Sequence, residues 1–132
     1  MKTLLDTHVL LWWFEVKNRL PKSHKRAINN ASPVEPLLVS DISLWEIAVL
    51  YELGRIKLAV PLRDWLERAV APPLVQCCSI SPAVAAEVAS LPSTFHRDPA
   101  DRIIVSTARV LGAVLLTCDD KIIKAGIVPT LN

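Results

Sequence analysis

No Cys-x-x-Cys pair occurs in the sequence, although Cys77, Cys78 and Cys118 are present. An odd thiol count without paired spacing argues against a disulfide scaffold and suits a reducing compartment. His8, His24 and His96 do not stand at metal-ligand spacing, so zinc is not expected. No stretch approaches the roughly 18 consecutive apolar residues that would span a bilayer. Lys2, Leu4, Leu5 and the run from Val9 to Phe14 superficially suggest a leader. Asp6 and His8 interrupt it, however, and no small-residue cleavage site follows. The expectation is a soluble, cytoplasmic protein without membrane contact. Internal repeats, low-complexity tracts and linkers are also missing, and residues 1–132 are expected to form one domain. A strong charge of either sign is lacking too: the formal net charge is +2. That balance permits nucleic-acid binding without arguing for it.

What the chain does have is apolar material, 52% of its residues, with a mean hydropathy of +0.35. A small domain has much surface and little interior, so part of this material is expected at a protein–protein interface. Hydrophobic bursts of strand length alternate with longer amphipathic segments. Strands are expected at Lys2–Leu5, Leu37–Ser40, Leu74–Ile80 and Val114–Thr117, with an edge strand at Val128–Leu131. Helices are expected at His8–Glu15, Pro21–Asn30, Ser43–Leu53, Pro61–Val70, Pro82–Ser90, Asp98–Leu111 and Lys121–Ala125. Gly54 and Gly112 stand where helices stop. Such alternation implies crossover connections, and hence a three-layer α/β/α fold with a mostly parallel central sheet.

In open sheets of this kind, ligands collect at the carboxyl ends of the strands. Asp6 ends the first strand, Glu46 is expected in the first turn after the second, and Asp119 and Asp120 follow the fourth. Asp98 and Asp101 open a helix with no strand immediately before it, so their position depends on packing. Taken singly, each carboxylate reads first as a helix cap. Ser43-Leu44-Trp45-Glu46 has the spacing of a capping box, and Asp98-Pro99-Ala100-Asp101 is an equally good helix start. Taken together they suggest more, because clustered carboxylates repel one another unless a cation neutralises them. Composition and spacing reach a possible magnesium or manganese site and stop there.

Four segments then carry a resemblance. They are Leu4-Leu5-Asp6-Thr7-His8-Val9-Leu10-Leu11-Trp12, Ser43-Leu44-Trp45-Glu46-Ile47, His96-Arg97-Asp98-Pro99-Ala100-Asp101-Arg102 with the following Ile103–Ala108, and Leu115-Leu116-Thr117-Cys118-Asp119. In order and separation they resemble the motifs of PIN-domain ribonucleases, and among these the VapC-like toxins of type II toxin–antitoxin systems. The resemblance implies a catalytic quartet of Asp6, Glu46, Asp101 and Asp119. It implies Mg2+ or Mn2+ held by Asp6, Asp101 and Asp119, with Asp98 as a further ligand or only a cap, and it leaves open one ion or two. It also implies cleavage of RNA, a cognate VapB-like antitoxin and a homodimer. Thr7 and Ser43 could hydrogen-bond a carboxylate or a water of the site, although each is also a natural helix-start residue.

Lys17, Arg19, Lys22, Lys25 and Arg26, with His24, form the densest basic run. It reads either as an RNA-contacting rim, through Arg19, Lys22, Lys25 and Arg26, or as a solvated helix face. Arg97 and Arg102 flank the third motif and could meet phosphates or balance the nearby acids. Trp12, Trp13 and Phe14 cannot all face one core from a single helix, so at least one is expected to meet a groove or partner. A housekeeping PIN nuclease of RNA processing is the near alternative. A receiver-like or non-catalytic acidic α/β binding module is the distant one.

Overall fold

The computed structural model describes residues 1–17 and 19–132. Five strands, β1 (Thr3–Leu5), β2 (Leu37–Ser40), β3 (Val75–Cys78), β4 (Val114–Leu116) and β5 (Thr130–Leu131), form one sheet in the order β3-β2-β1-β4-β5. All four pairings are parallel, which sharpens the expectation of a mostly parallel sheet. Around it lie α1 (Thr7–Trp13), α2 (Lys22–Asn29), α3 (Asp41–Glu52), α4 (Leu62–Ala69), α5 (Pro82–Ser90), α6 (Pro99–Leu111) and α7 (Asp120–Ala125). No helix among the described residues is long and apolar enough to cross a membrane.

The sheet is covered on both faces, so its central strands are apolar throughout instead of alternating. Leu4, Leu38 and Leu115 pack with Phe95, Ile104, Val105 and Ile122, on the side of α6 and α7. Their strand neighbours Leu5, Leu37, Val39 and Leu116 pack with Val9, Leu10, Ile28, Ile47 and Ala69, on the side of α1 to α4. The register Leu4↔Leu38 and Leu4↔Leu115 aligns like with like, because side chains alternate faces with a period of two.

Several boundaries differ from the sequence reading. The strand expected at Leu74–Ile80 is shorter, and it lies at the sheet edge, where Leu74 and Ile80 are exposed. Ser43–Glu46 is not a capping box. Ser40 caps α3 through a bond from Ile42 N–H at 3.2 Å, and Ser43 is a buried residue inside the helix. A cap requires a free N–H two or three residues on, and by Ser43 the helix has already begun. Glu46 therefore falls in the second turn of α3. On α6, Ile103 and Leu111 are only half-buried, while Ala100 and Val105 join Ile104, Thr107 and Ala108 on the buried side. Gly112, at φ 64°, ends α6 in the left-handed conformation that a side chain disfavours, and it turns the chain directly into β4.

The sheet order also locates a crevice. From β1 the chain builds outward through β2 and β3, then returns to the opposite side of β1 for β4 and β5. The switch point lies at the carboxyl ends of β1 and β4, where ligands bind in sheets of this type.

Candidate functional site

Asp6 leaves β1 at that switch point and is almost fully buried, at 2% exposure. Each of its oxygens has a partner. Oδ1 accepts from Thr7 N–H at 2.8 Å, so Asp6 does cap α1. Oδ2 accepts from the Thr117 hydroxyl at 2.7 Å. That same hydroxyl oxygen accepts from Asp119 N–H at 3.0 Å, which ties the end of β4 to the end of β1. Asp119 in turn caps α7, accepting from Lys121 N–H at 2.8 Å. Capping and site formation are thus compatible roles, since a carboxylate oxygen keeps a second lone pair after accepting one bond.

The remaining acids arrive from elsewhere. Asp98 caps α6 by accepting from Asp101 N–H at 3.0 Å, and α6 packs against α3 and the sheet so that its first turn overhangs the crevice. Asp6, Glu46, Asp98, Asp101 and Asp119 line one open pocket, together with Thr7, His8, Leu11 and Leu50. Asp120, one residue further on, is exposed and is not part of the pocket lining.

Thr7 and Ser43, both buried, lie beneath this cluster with the Thr7 hydroxyl donating to Ser43 Oγ at 2.9 Å. Thr7 also hydrogen-bonds Glu46. One hydroxyl proton cannot serve both acceptors at once, but Ser43 can turn to donate to Thr7 and leave the Thr7 proton for Glu46. Two further residues were not singled out from the sequence as contributors. Thr117 is the hinge between Asp6 and Asp119, and the only hint of it was its place in the Leu-Leu-Thr-Cys-Asp stretch. His96 reaches Asp101 Oδ2 with Nε2 at 2.7 Å, its ring stacked on Phe95. His8 also spans the crevice wall: its Nε2 accepts from Cys118 N–H at 3.0 Å, so the ring proton sits on Nδ1, 3.4 Å from Asp6 Oδ2.

The basic candidates divide differently. Arg19 is paired with Glu15 at 2.7 Å and lies over the Trp12 ring. Arg102 donates to the carbonyls of Phe95, His96 and Val88, each at 3.3 Å, and so braces the loop before α6. Lys22, Lys25, Arg26 and Arg97 are exposed, and none of them lines the acidic pocket. His24 is no part of a basic rim: it is fully buried, bonded to the Leu131 carbonyl, and burial lowers its pKa.

The electrostatics follow from crowding. Burial raises Asp101 to about 7; the bond from His96 opposes this, and the charges of Asp6, Asp98 and Asp119 reinforce it. Glu46 is raised by burial, pulled back by Thr7 and raised again by Asp6 and Asp98. A cation would relieve this repulsion, and an all-oxygen donor set suits a hard ion such as Mg2+ or Mn2+. Among the described residues, no three acidic, histidine or cysteine side chains already form a closed metal cage.

A pH dependence follows. The Asp101 carboxyl holds its proton to about 7 in the fold, against an ordinary 3.8, so folding favours the protonated form. Its contribution to stability is therefore largest below the ordinary value and falls as pH rises towards 7. In EDTA, the melting temperature is expected to rise as pH is lowered from about 8 to about 6, and Asp101→Asn is expected to flatten that slope. A metal-free protein that instead loses stability on this descent would contradict the electrostatic picture.

Comparison with known proteins fits this geometry. The PIN-domain family model matches residues 3–128. Ribonuclease VapC22 of Mycobacterium tuberculosis is 41% identical over 119 residues, spanning 90% of this chain and 88% of that protein. Among solved structures, VapBC2 from Rickettsia felis, determined with a promoter DNA fragment, contains a similar chain. Its TM-score is 0.75 at 17% identity, over 100% of this chain and 98% of that one. VapBC-1 from nontypeable Haemophilus influenzae gives 0.73 at 19% identity, over 100% and 98% of the two chains. FitAcB from Neisseria gonorrhoeae gives 0.72 at 19%, over 98% and 96%. At these identities the structures speak for the fold, while the family model and the 41% relative decide membership. The receiver-like alternative is thereby set aside: the chain belongs to the PIN-domain family.

Proposed function

We propose that the protein is a Mg2+- or Mn2+-dependent ribonuclease that acts as the toxin of a toxin–antitoxin pair. The observation that carries this reading is the convergence of Asp6, Glu46, Asp101 and Asp119, from four separate parts of the chain, on the crevice between β1 and β4. The likeness to a relative named as a VapC ribonuclease supports the substrate class.

In this mechanism Asp6 and Asp101 would hold the ion, with Asp119 assisting them. Asp98 either joins them or remains a cap. Bound there, a divalent cation supplies Lewis acidity to the phosphodiester and lowers the pKa of water. Glu46, raised by burial, orients the attacking water and accepts its proton. Thr7 and Ser43 fix the Glu46 side chain from below, and Thr117 fixes Asp6. The water oxygen bonds to phosphorus as the bond to the 3′ oxygen breaks, and that oxygen takes a proton from solvent, leaving a 5′-phosphate and a 3′-hydroxyl.

The antitoxin is assigned to the groove beyond Leu11. Trp12, Phe14, Trp65, Ile56 and Leu58 form its apolar surface, and Arg19, Arg55 and Lys57 rim it. Phe14 remains 43% exposed, as expected of a run of three aromatic residues on one short helix. A VapB-like partner with an apolar segment flanked by acidic residues would match this surface. Trp45, Tyr51 and Leu53, exposed on or just after α3, leave further apolar surface for a second copy of the chain. A cytoplasmic location is proposed to go with the RNA substrate and the free thiols.

Incubation of purified, partner-free protein with a panel of structured RNAs is expected to give cleavage with Mg2+ or Mn2+ and none with EDTA. Cutting that persists in EDTA, or a well-folded protein that cuts no RNA with either metal, would overturn the assignment.

A further inference from the structure

Two clefts adjoin the acidic crevice, through different walls. One is the apolar groove described above, which shares Leu11 with the crevice. The other lies between α7 and the loop that leads into α6, with Thr94, Phe95, His96, Lys121, Lys124 and Ile127 among its walls. His96 joins this second cleft to the site, because its ring lines the cleft while its Nε2 bonds Asp101. Asp119 makes the same junction on the other side, bonded to the backbone of Lys121.

Lys121 and Lys124 stand three residues apart on α7 and so share a face of that helix. Both are exposed. Among the described residues neither forms an ion pair, whereas Arg19, Arg63 and Arg109 each have a carboxylate partner. A crevice lined by five acidic residues repels the backbone it is meant to cut, so attraction has to come from cations at its margin. Of the basic residues expected from the sequence, Lys22, Lys25 and Arg26 lie on α2, Arg19 pairs with Glu15, Arg102 is engaged by three carbonyls, and Arg97 stands exposed between His96 and Asp98.

We propose that the Lys121–Lys124 cleft is the track for the RNA backbone beside the cleaved bond, with both ammonium groups contacting phosphates. The proposal rests on the ribonuclease reading and adds to it the surface that holds the substrate. It leaves the apolar groove free, so RNA and antitoxin would engage different walls of the site.

The test is binding of a fluorescein-labelled single-stranded RNA in Mg2+, in an Asp6→Asn background that holds RNA without cutting it. Lys121→Gln with Lys124→Gln is expected to weaken binding about tenfold. It should also shrink the slope of log affinity against log salt by roughly 1.4, the value for two lost contacts to a single strand. Lys121→Arg with Lys124→Arg is expected to restore both. Because the two side chains are exposed, the melting temperature should hold in every variant. Unchanged affinity and slope in the double Gln variant would overturn the proposal. So would a loss confined to a Lys22→Gln, Lys25→Gln comparison protein. If the parent protein neither binds RNA nor, with Asp6 intact, cuts it, the ribonuclease reading itself fails and this proposal falls with it.

Discussion

Asp6→Asn is expected to abolish RNA cleavage, with a barrier increase of about 4 kcal/mol or a loss near a thousandfold, while the protein remains folded. Asparagine is as good a helix cap as aspartate, so the bond from Thr7 N–H survives. Its amide can donate to Thr117 Oγ1 in place of the bond that Asp6 accepts, at the cost of the acceptor for the Thr117 hydroxyl proton. What disappears is the negative charge, and with it the ability to hold a hard cation. The same loss relieves repulsion on Asp101 and Glu46, which offsets that cost, so the metal-free variant should melt close to the parent. Cleavage kinetics and thermal melting, measured on one preparation, separate the two effects. Collapse of the fold would assign Asp6 a structural role instead.

The largest loss of stability is expected at Leu115→Ala, about 2–5 kcal/mol by denaturant titration. Leu115 is fully buried on the interior strand β4, paired in register with Leu4 and packed in the cluster that includes Ile104 and Ile122. A domain with a typical margin of about 5–15 kcal/mol would lose a large part of it. The comparison change Val110→Ala, on the exposed side of α6 at 41% exposure, should stay within about 0.5 kcal/mol. A small effect at Leu115 would mean that the site collapses readily around the missing atoms. Thr117 and Asp119 follow directly after that strand, so cleavage by the Leu115 variant is expected to fall with its folded fraction.

Much of the acidic site was legible because its residues sit at local punctuation marks. Asp6, Asp98 and Asp119 each precede a helix, and a short polar side chain before an apolar run is visible without tertiary knowledge. The spacing could not say which role such a residue has, since capping and ligand binding use the same oxygens. Here Asp6, Asp98 and Asp119 each cap a helix and also line the acidic pocket. Glu46 was expected in the first turn after β2, with a capping box at Ser43 as its purely structural reading; the helix starts earlier, at Asp41, so Glu46 lies in the second turn and Ser43 bonds Thr7 across 36 positions of sequence instead.

By itself the sequence determined the alternation of strands and helices, the apolar stretches that must be buried on both faces, and the acids at the strand and helix ends. These depend on periodicity and local backbone chemistry, which extend over a few residues at a time. Only the tertiary structure decided the strand order that opens the crevice between β1 and β4, and the delivery of Asp98 and Asp101 by a helix with no strand before it. It alone joined Thr117 to Asp6 across 111 positions, engaged Arg102 with main-chain carbonyls and, among the described residues, left Lys121 and Lys124 without an ion pair. Those outcomes depend on which surfaces meet when the layers close, and hydrogen bonds and ion pairs act only over a few ångströms once they have met.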